Sequence, residues 1–290
     1  MFPYRGFACS VFDVRCLAFD VRGFPRSSRR IQNQVSRIEN RGPFPAGASS
    51  EGGFTLVELL VVMGSNAILL VLMAPAFTTL KSAGDVTSAA NTIKGVLDQA
   101  RTYAMANNTY TWIGFFEEDV STASTNPATA GTGRIVMSIV ASKDGTMIYT
   151  APLAIVTALP PANLIQVGKL TKIDNTHLLH LQSYAPTTPT SDTFRTRPAV
   201  SSTAAQLGDD TPPNPILRFQ YPLGGTPQYT FSKMVQFNPR GEAVIDNSNY
   251  TYTSISEIGF QPTHGSALST SNVGAIQFTG VGGDVKIYRQ

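Results

Sequence analysis

At 290 residues the chain has room for one or two domains, and its low charge (14% Asp, Glu, Lys and Arg) with 24 Gly and 19 Pro favours strands and turns over a helical bundle. The net charge of +3 is unevenly placed: residues 1–53 hold eight Arg, no Lys and four acids, and the remainder is slightly acidic. A basic balance confined to the N-terminus does not indicate nucleic-acid binding by the rest of the chain. Residues 1–53 also hold both cysteines, Cys9 and Cys16, a C-x6-C pair that is a poor metal signature. Phe12-Asp13-Val14-Arg15 recurs there as Phe19-Asp20-Val21-Arg22, with no core for it to join.

An apolar run follows from Phe54 to about Phe77, long enough to cross a bilayer as a helix. It carries one charge, Glu58. A carboxylate in hydrocarbon costs about 2.5–3.5 kcal/mol on insertion scales, so it needs a partner. An ordinary secretory signal is cut after its apolar region; here Gly52-Gly53 and an Arg-rich leader precede it. Basic leader, glycine, then Phe54-Thr55-Leu56-Val57-Glu58-Leu59-Leu60 resembles the cleavage and methylation motif of type IV prepilins and pseudopilins. That resemblance implies a cut after Gly53 by a membrane prepilin peptidase and methylation of the new N-terminus, Phe54. The freed α-amine is charged at neutral pH and sits four residues from Glu58 on one helix face. The two neutralise each other within a chain or between neighbours, which gives assembly a register. The alternative is a plain anchor whose Glu58 snorkels to the interface. Leaders of the family are usually much shorter than 53 residues, so translation starting at a later codon is the alternative to a leader over 1–53.

Gly64-Ser65-Asn66 interrupts the run and weakens insertion, read either as a point where the helix loosens or as simple drift, and Pro75 stands where pilin helices commonly carry a kinking proline. From Asp85, Val86, Ala90, Ile93, Leu97, Ala100 and Ala104 step by four and three, the period of a helix with one buried stripe. The expected domains are therefore a leader at 1–53, a transmembrane and assembly helix at 54–77, its amphipathic continuation at 78–108 ending near Asn107-Asn108, and a β-rich domain at 109–290. Residues 93–108 resemble the matching helix of GspH/FimT-type pseudopilins.

Beyond the helix the period becomes two. Strands are expected at 109–116, 133–141 and 146–150, the last two joined by a turn at Ser142-Lys143-Asp144-Gly145. Further strands are expected at 163–173, 177–184, 216–221 and 229–237. Residues 185–215, rich in Thr, Pro, Ser and Asp, read as a long surface loop. Asn238-Pro239-Arg240-Gly241 suits a tight reversal between 234–237 and 242–245, and 274–279 with 284–288 form a terminal hairpin. The F-x-P-x-G string from Phe237 is again similar to the GspH/FimT domain.

No catalytic constellation stands out. His177 and His180 fall on opposite faces of a strand, and Glu117-Glu118-Asp119 reads as a solvated turn. Asp246, Asn247 and Asn249 offer calcium-type oxygen ligands without the spacing of an EF-hand; otherwise no cofactor is expected. Trp112 belongs to a core. The expectation is α+β and non-enzymatic, a long N-terminal helix packed on an antiparallel sheet domain in the manner of pilins. The resemblance implies a structural, minor subunit of a type IV pilus or type II secretion pseudopilus, held in the bacterial inner membrane with its domain in the periplasm. Its partners are the prepilin peptidase and methyltransferase and other pilin or pseudopilin subunits, with no nucleic acid. The alternatives are a membrane-tethered periplasmic binding module that does not polymerise, and a hydrolase with an unrecognised site.

Overall fold

The computed structural model describes residues 53–150, 157–184, 194–200, 203–208, 217–245 and 252–290, with backbone alone for 74–80, 183–184 and 203. Residues 1–52 of the expected leader at 1–53 and the calcium-type residues Asp246, Asn247 and Asn249 lie outside the described residues.

One helix, α1, runs from Leu56–Ala106, about 76 Å at 1.5 Å per residue. Thr55 caps its start with extended backbone. At its end the Asn107 N–H and Nδ2 both donate to the Tyr103 carbonyl at 3.0 Å, and Asn108 turns the chain away with φ of +50°. The helix passes Gly64-Ser65-Asn66 and Pro75 without a break. Ser65 Oγ donates back to the Val62 carbonyl at 2.9 Å, which satisfies the hydroxyl within the helix.

The strands are β1 (Thr111–Asp119), β2 (Gly133–Ser142), β3 (Thr157–Ala158), β4 (Leu164–Asp174), β5 (Thr176–Leu178), β6 (Gln206–Leu207) and β7 (Leu217–Tyr221). They continue with β8 (Tyr229–Phe231), β9 (Lys233–Phe237), β10 (Ala243–Val244), β11 (Ile255–His264), β12 (Ala267–Leu268), β13 (Gly274–Thr279) and β14 (Val285–Arg289). They make three sheets: an antiparallel one ordered β10-β9-β1-β2-β4, a second ordered β12-β11-β13-β14 with β5 and β6 also on β11, and a small β3-β7-β8 sheet. The β3–β7 and β6–β11 pairings are parallel.

The helix stripe expected from the sequence is buried throughout, together with Ala89 and Val96. It packs on both larger sheets at once, meeting Ile113, Phe115, Ile135, Met137 and Phe237 of the first and Ile258, Phe260, Ile276 and Phe278 of the second. Each fully buried Ile or Leu here contributes about 1.5–3 kcal/mol. The far face of the first sheet is also covered: Trp112, Val136, Val140 and Met234 pack on Leu217, Phe219, Tyr229 and Phe231. That is why β1 and β2 are buried almost residue after residue instead of on alternate positions.

Four expectations are corrected. Residues 146–150 form no strand: Asp144 Oδ1 accepts from Ser142 Oγ, Thr146 N and Thr146 Oγ1 at 2.7–3.0 Å. These bonds hold an irregular loop that Tyr149 OH ties to Gln236 Oε1 at 2.6 Å. Residues 229–237 break into β8 and β9, which belong to different sheets. Only Thr176–Leu178 of the 177–184 region is strand, and Leu181–Tyr184 is a 3-10 turn. The described parts of 185–215 are no surface loop, since Phe194, Arg197, Ala205 and Leu207 are buried and β6 extends the second sheet.

The expected turn at 142–145 joins no second strand, and the other two expected reversals form. In the Asn238–Gly241 turn, Asn238 Oδ1 accepts from the N–H groups of Arg240 and Glu242 at 2.9 and 3.0 Å, and Gly241 takes φ of +82°. The terminal hairpin pairs β13 with β14.

A Cβ added at Gly114, in the middle of β1, would lie 2.4 Å from Phe231 Cβ and 2.7 Å from Phe219 Cζ. Gly114→Ala is expected to destabilise the chain by about 1–3 kcal/mol, read as a lower midpoint of denaturant unfolding.

Candidate functional site

The first turn of α1 is a reciprocal capping box. The Glu58 N–H donates to Thr55 Oγ1 at 3.2 Å, and both Thr55 N and Thr55 Oγ1 donate to Glu58 Oε2 at 2.9 Å. This bonding turns the Glu58 carboxylate back over the N-terminal pole of the helix, onto the Thr55 nitrogen. There it meets the positive end of the helix dipole, and only its Oε2 is engaged by Thr55.

Beyond this cap the helix is apolar and uncovered. Leu56–Met73 has a mean hydropathy of 2.3 over 18 residues and none of it is buried. It passes the length and composition test for a membrane span. Phe54 is also exposed, at 85%. Among the helix residues whose side chains are described, burial begins at Ser82. Ser82 Oγ lies 3.2 Å from His264 Nε2 at the end of β11. One continuous helix is therefore split into an uncovered apolar half and a half packed on sheets.

The acidic run is corrected. Glu117, Glu118 and Asp119 are the end of β1 and not a solvated turn. Glu118 is buried, with Oε2 3.1 Å from Arg134 Nη1 and 3.6 Å from Lys172 Nζ, and Oε1 accepts from Ser124 Oγ at 3.2 Å. Lys172 Nζ also donates to Tyr229 OH at 2.7 Å. Glu117 meets His177 Nδ1, and both side chains are nearly buried. Sequence reasoning missed this network because its members are brought together by the β1–β2–β4 register, far apart in the chain. A second buried pair joins Arg197 to Glu257 at 2.7 Å, with Gln277 donating to the same carboxylate at 2.9 Å.

Trp112 is in the core and donates to Gln236 Oε1 at 2.9 Å. His180 and His264 do not join His177 in a metal site: among the described residues, no three His, Cys, Asp or Glu side chains are grouped to hold a metal. A cavity of about 540 Å³ is a groove along the helix at Gly95, Asp98, Gln99, Thr102 and Tyr103, without an acid–base pair or a nucleophile with its base among these residues. No family model, curated protein or solved structure matches the chain.

Burial pushes the Glu118 carboxyl up, but the Arg134 hydrogen bond, the Lys172 charge and the Ser124 hydroxyl outweigh it, and the net shift is below the ordinary 4.5. A depressed folded-state pKa stabilises the fold fully above the ordinary value and is lost as the pH falls through the folded one. Thermal unfolding followed from about pH 6 to about pH 3 is expected to show a shallower loss of stability in Glu118→Gln than in the wild-type chain.

Proposed function

We propose that this chain is a structural, minor subunit of a type IV pilus or type II secretion pseudopilus, anchored in the bacterial inner membrane before assembly and built like a pilin. The observation that carries the reading is the division of α1: an apolar, uncovered half from Leu56–Met73 joined without a break to a half buried on β-sheets. An apolar helix left open in this way needs lipid or the equivalent helices of other copies. The prepilin-like string around Gly53 and Phe54 supports the second partner as well as the first.

In this reading the peptidase cuts after Gly53 and the new N-terminus at Phe54 is methylated. The capping box already holds Glu58 over the helix pole, where the new amine appears. In lipid, a Glu58 without a cationic partner is penalised by about 2.5–3.5 kcal/mol. Lateral packing that brings it to a neighbour's amine removes the penalty and fixes the axial register between subunits. Burial of the apolar half against neighbours then holds the fibre together.

Intact mass and N-terminal peptide mapping of the protein from membranes of its native host test the processing step. A chain that begins at methylated Phe54 is the expected result; a chain that retains residues before Gly53 leaves a membrane-tethered β-domain, and the fibre reading is dropped. Glu58→Ala is expected to be processed yet to assemble poorly, read as loss of the multimer ladder from cysteine cross-links placed along the anchor. Wild-type laddering in that variant sinks the register role.

A further inference from the structure

We infer that the tip of the β11–β12 hairpin is a second membrane contact, resting in the lipid headgroup layer beside the point where α1 leaves the bilayer. The inference rests on the reading of α1 as a membrane anchor and adds a site on the folded domain to it.

The placement follows from the contacts. Strand β11 pairs with the end of β13 at Ile255 and with its start at Gly274 through Phe260. The β13–β14 turn is held at the far part of the helix, where Arg101 Nη2 donates to the Gly282 carbonyl at 2.5 Å. The other end of this hairpin lies nearer the anchor, where Arg289 Nη1 donates to Thr87 Oγ1 at 2.5 Å. Strand β11 therefore runs along the helix toward the anchor. It ends with His264 against Ser82, where helix burial begins. Gly265-Ser266 make the turn, and Ala267 and Leu268 pair back on His264 and Thr263.

The distances suit a headgroup position. If Phe77 is the last residue in hydrocarbon, Ser82 stands about 8 Å further along the helix. The interfacial layer of a bilayer is about 5–8 Å thick on each side. The hairpin tip is therefore at the depth of the headgroups, and the turn points toward the lipid.

The composition suits it too. Residues 264–271 contain no Asp, Glu, Lys or Arg, and positions 264–268 are all exposed. Leu268 is 53% exposed, and Lys81, directly before Ser82, is exposed as well. An uncharged turn carrying an open Leu, level along the helix with an exposed Lys, is the chemistry of an interfacial contact. The contrasting position is Val281, more open at 71% but in the β13–β14 turn beside Arg101. Arg101 lies 19 residues beyond Ser82, about 28 Å along the helix and clear of any bilayer. Two contacts, helix and hairpin, would set the tilt of the domain over the membrane before the subunit is extracted.

The test uses the full chain with Cys9→Ser and Cys16→Ser, which removes both native cysteines. Single cysteines at Leu69→Cys, Leu268→Cys and Val281→Cys are labelled with an environment-sensitive fluorophore. Each protein is placed in phosphatidylcholine–phosphatidylglycerol vesicles carrying spin-labelled lipid quenchers at headgroup, shallow-acyl or deep-acyl positions. The expected result is deep-acyl quenching at 69, at least two-fold quenching by headgroup or shallow-acyl labels at 268, and none at 281. Quenching at 69 with none at 268 overturns the hairpin contact while the anchor stands. No quenching at either removes the anchor reading itself. Equal quenching at 268 and 281 describes a domain lying flat on the bilayer, and a change at 268 that follows multimerisation instead of lipid assigns the tip to a second copy; both overturn the inference.

Discussion

Packing one helix stripe on two sheets at once is the constraint from which the rest of the molecule follows. Ala89, Ala90, Ala100 and Ala104 let the helix approach closely, while Val86, Ile93 and Leu97 fill the groove between the first and second sheets. Because α1 closes only one face of each sheet, the opposite faces need their own cover. The β3-β7-β8 sheet supplies it behind Trp112, and Phe194 with Leu181 supplies it behind Val273 and Ala275. From Leu56 to Met73 the helix packs on none of the described strands, and its apolar residues stay open.

Charges inside the domain act mainly as fasteners. Glu118 joins three strands through Arg134 and Lys172, and Glu257 gathers Arg197, Gln206 and Gln277 across the outer face of the second sheet. Buried ion pairs add little net stability, because desolvation offsets most of the attraction. Removing one partner is costly all the same, since the other charge is left buried. Such groups therefore specify which segments meet. The Arg197 pair ties the segment around Phe194 to the sheet in a way that its Thr- and Pro-rich surroundings do not suggest.

The two halves of α1 make opposite demands on solvent. The sheet-packed half is satisfied within the chain. The apolar half lies open, suited to lipid or to other helices, and the Thr55–Glu58 box keeps its one charged group at its N-terminal end. The proposed function draws on this combination: a folded domain that does not change, and a helix whose apolar surface fits either lipid or other helices.

Much of this was legible in the residue order. The apolar run, the stripe from Val86 to Ala104, the Asn stop at 107–108, the Asn-Pro-Arg-Gly turn and the terminal hairpin are set by local chemistry: side-chain period, cap residues and turn residues. Those signals act over a few residues and need no distant partner. Tertiary structure alone decided which strands share a sheet, why 229–237 divides, why 146–150 is no strand, and why Glu118 is buried and Glu117 nearly so beside Arg134, Lys172 and His177. Those depend on groups far away in the chain, 16 residues for Arg134 and Glu118, 60 for His177 and Glu117 and 87 for Tyr149 and Gln236, and on both faces of a sheet being covered. A strand buried on two faces loses the alternation by which sequence marks inside from outside, and a buried charge is indistinguishable from a solvated one until its partner is placed.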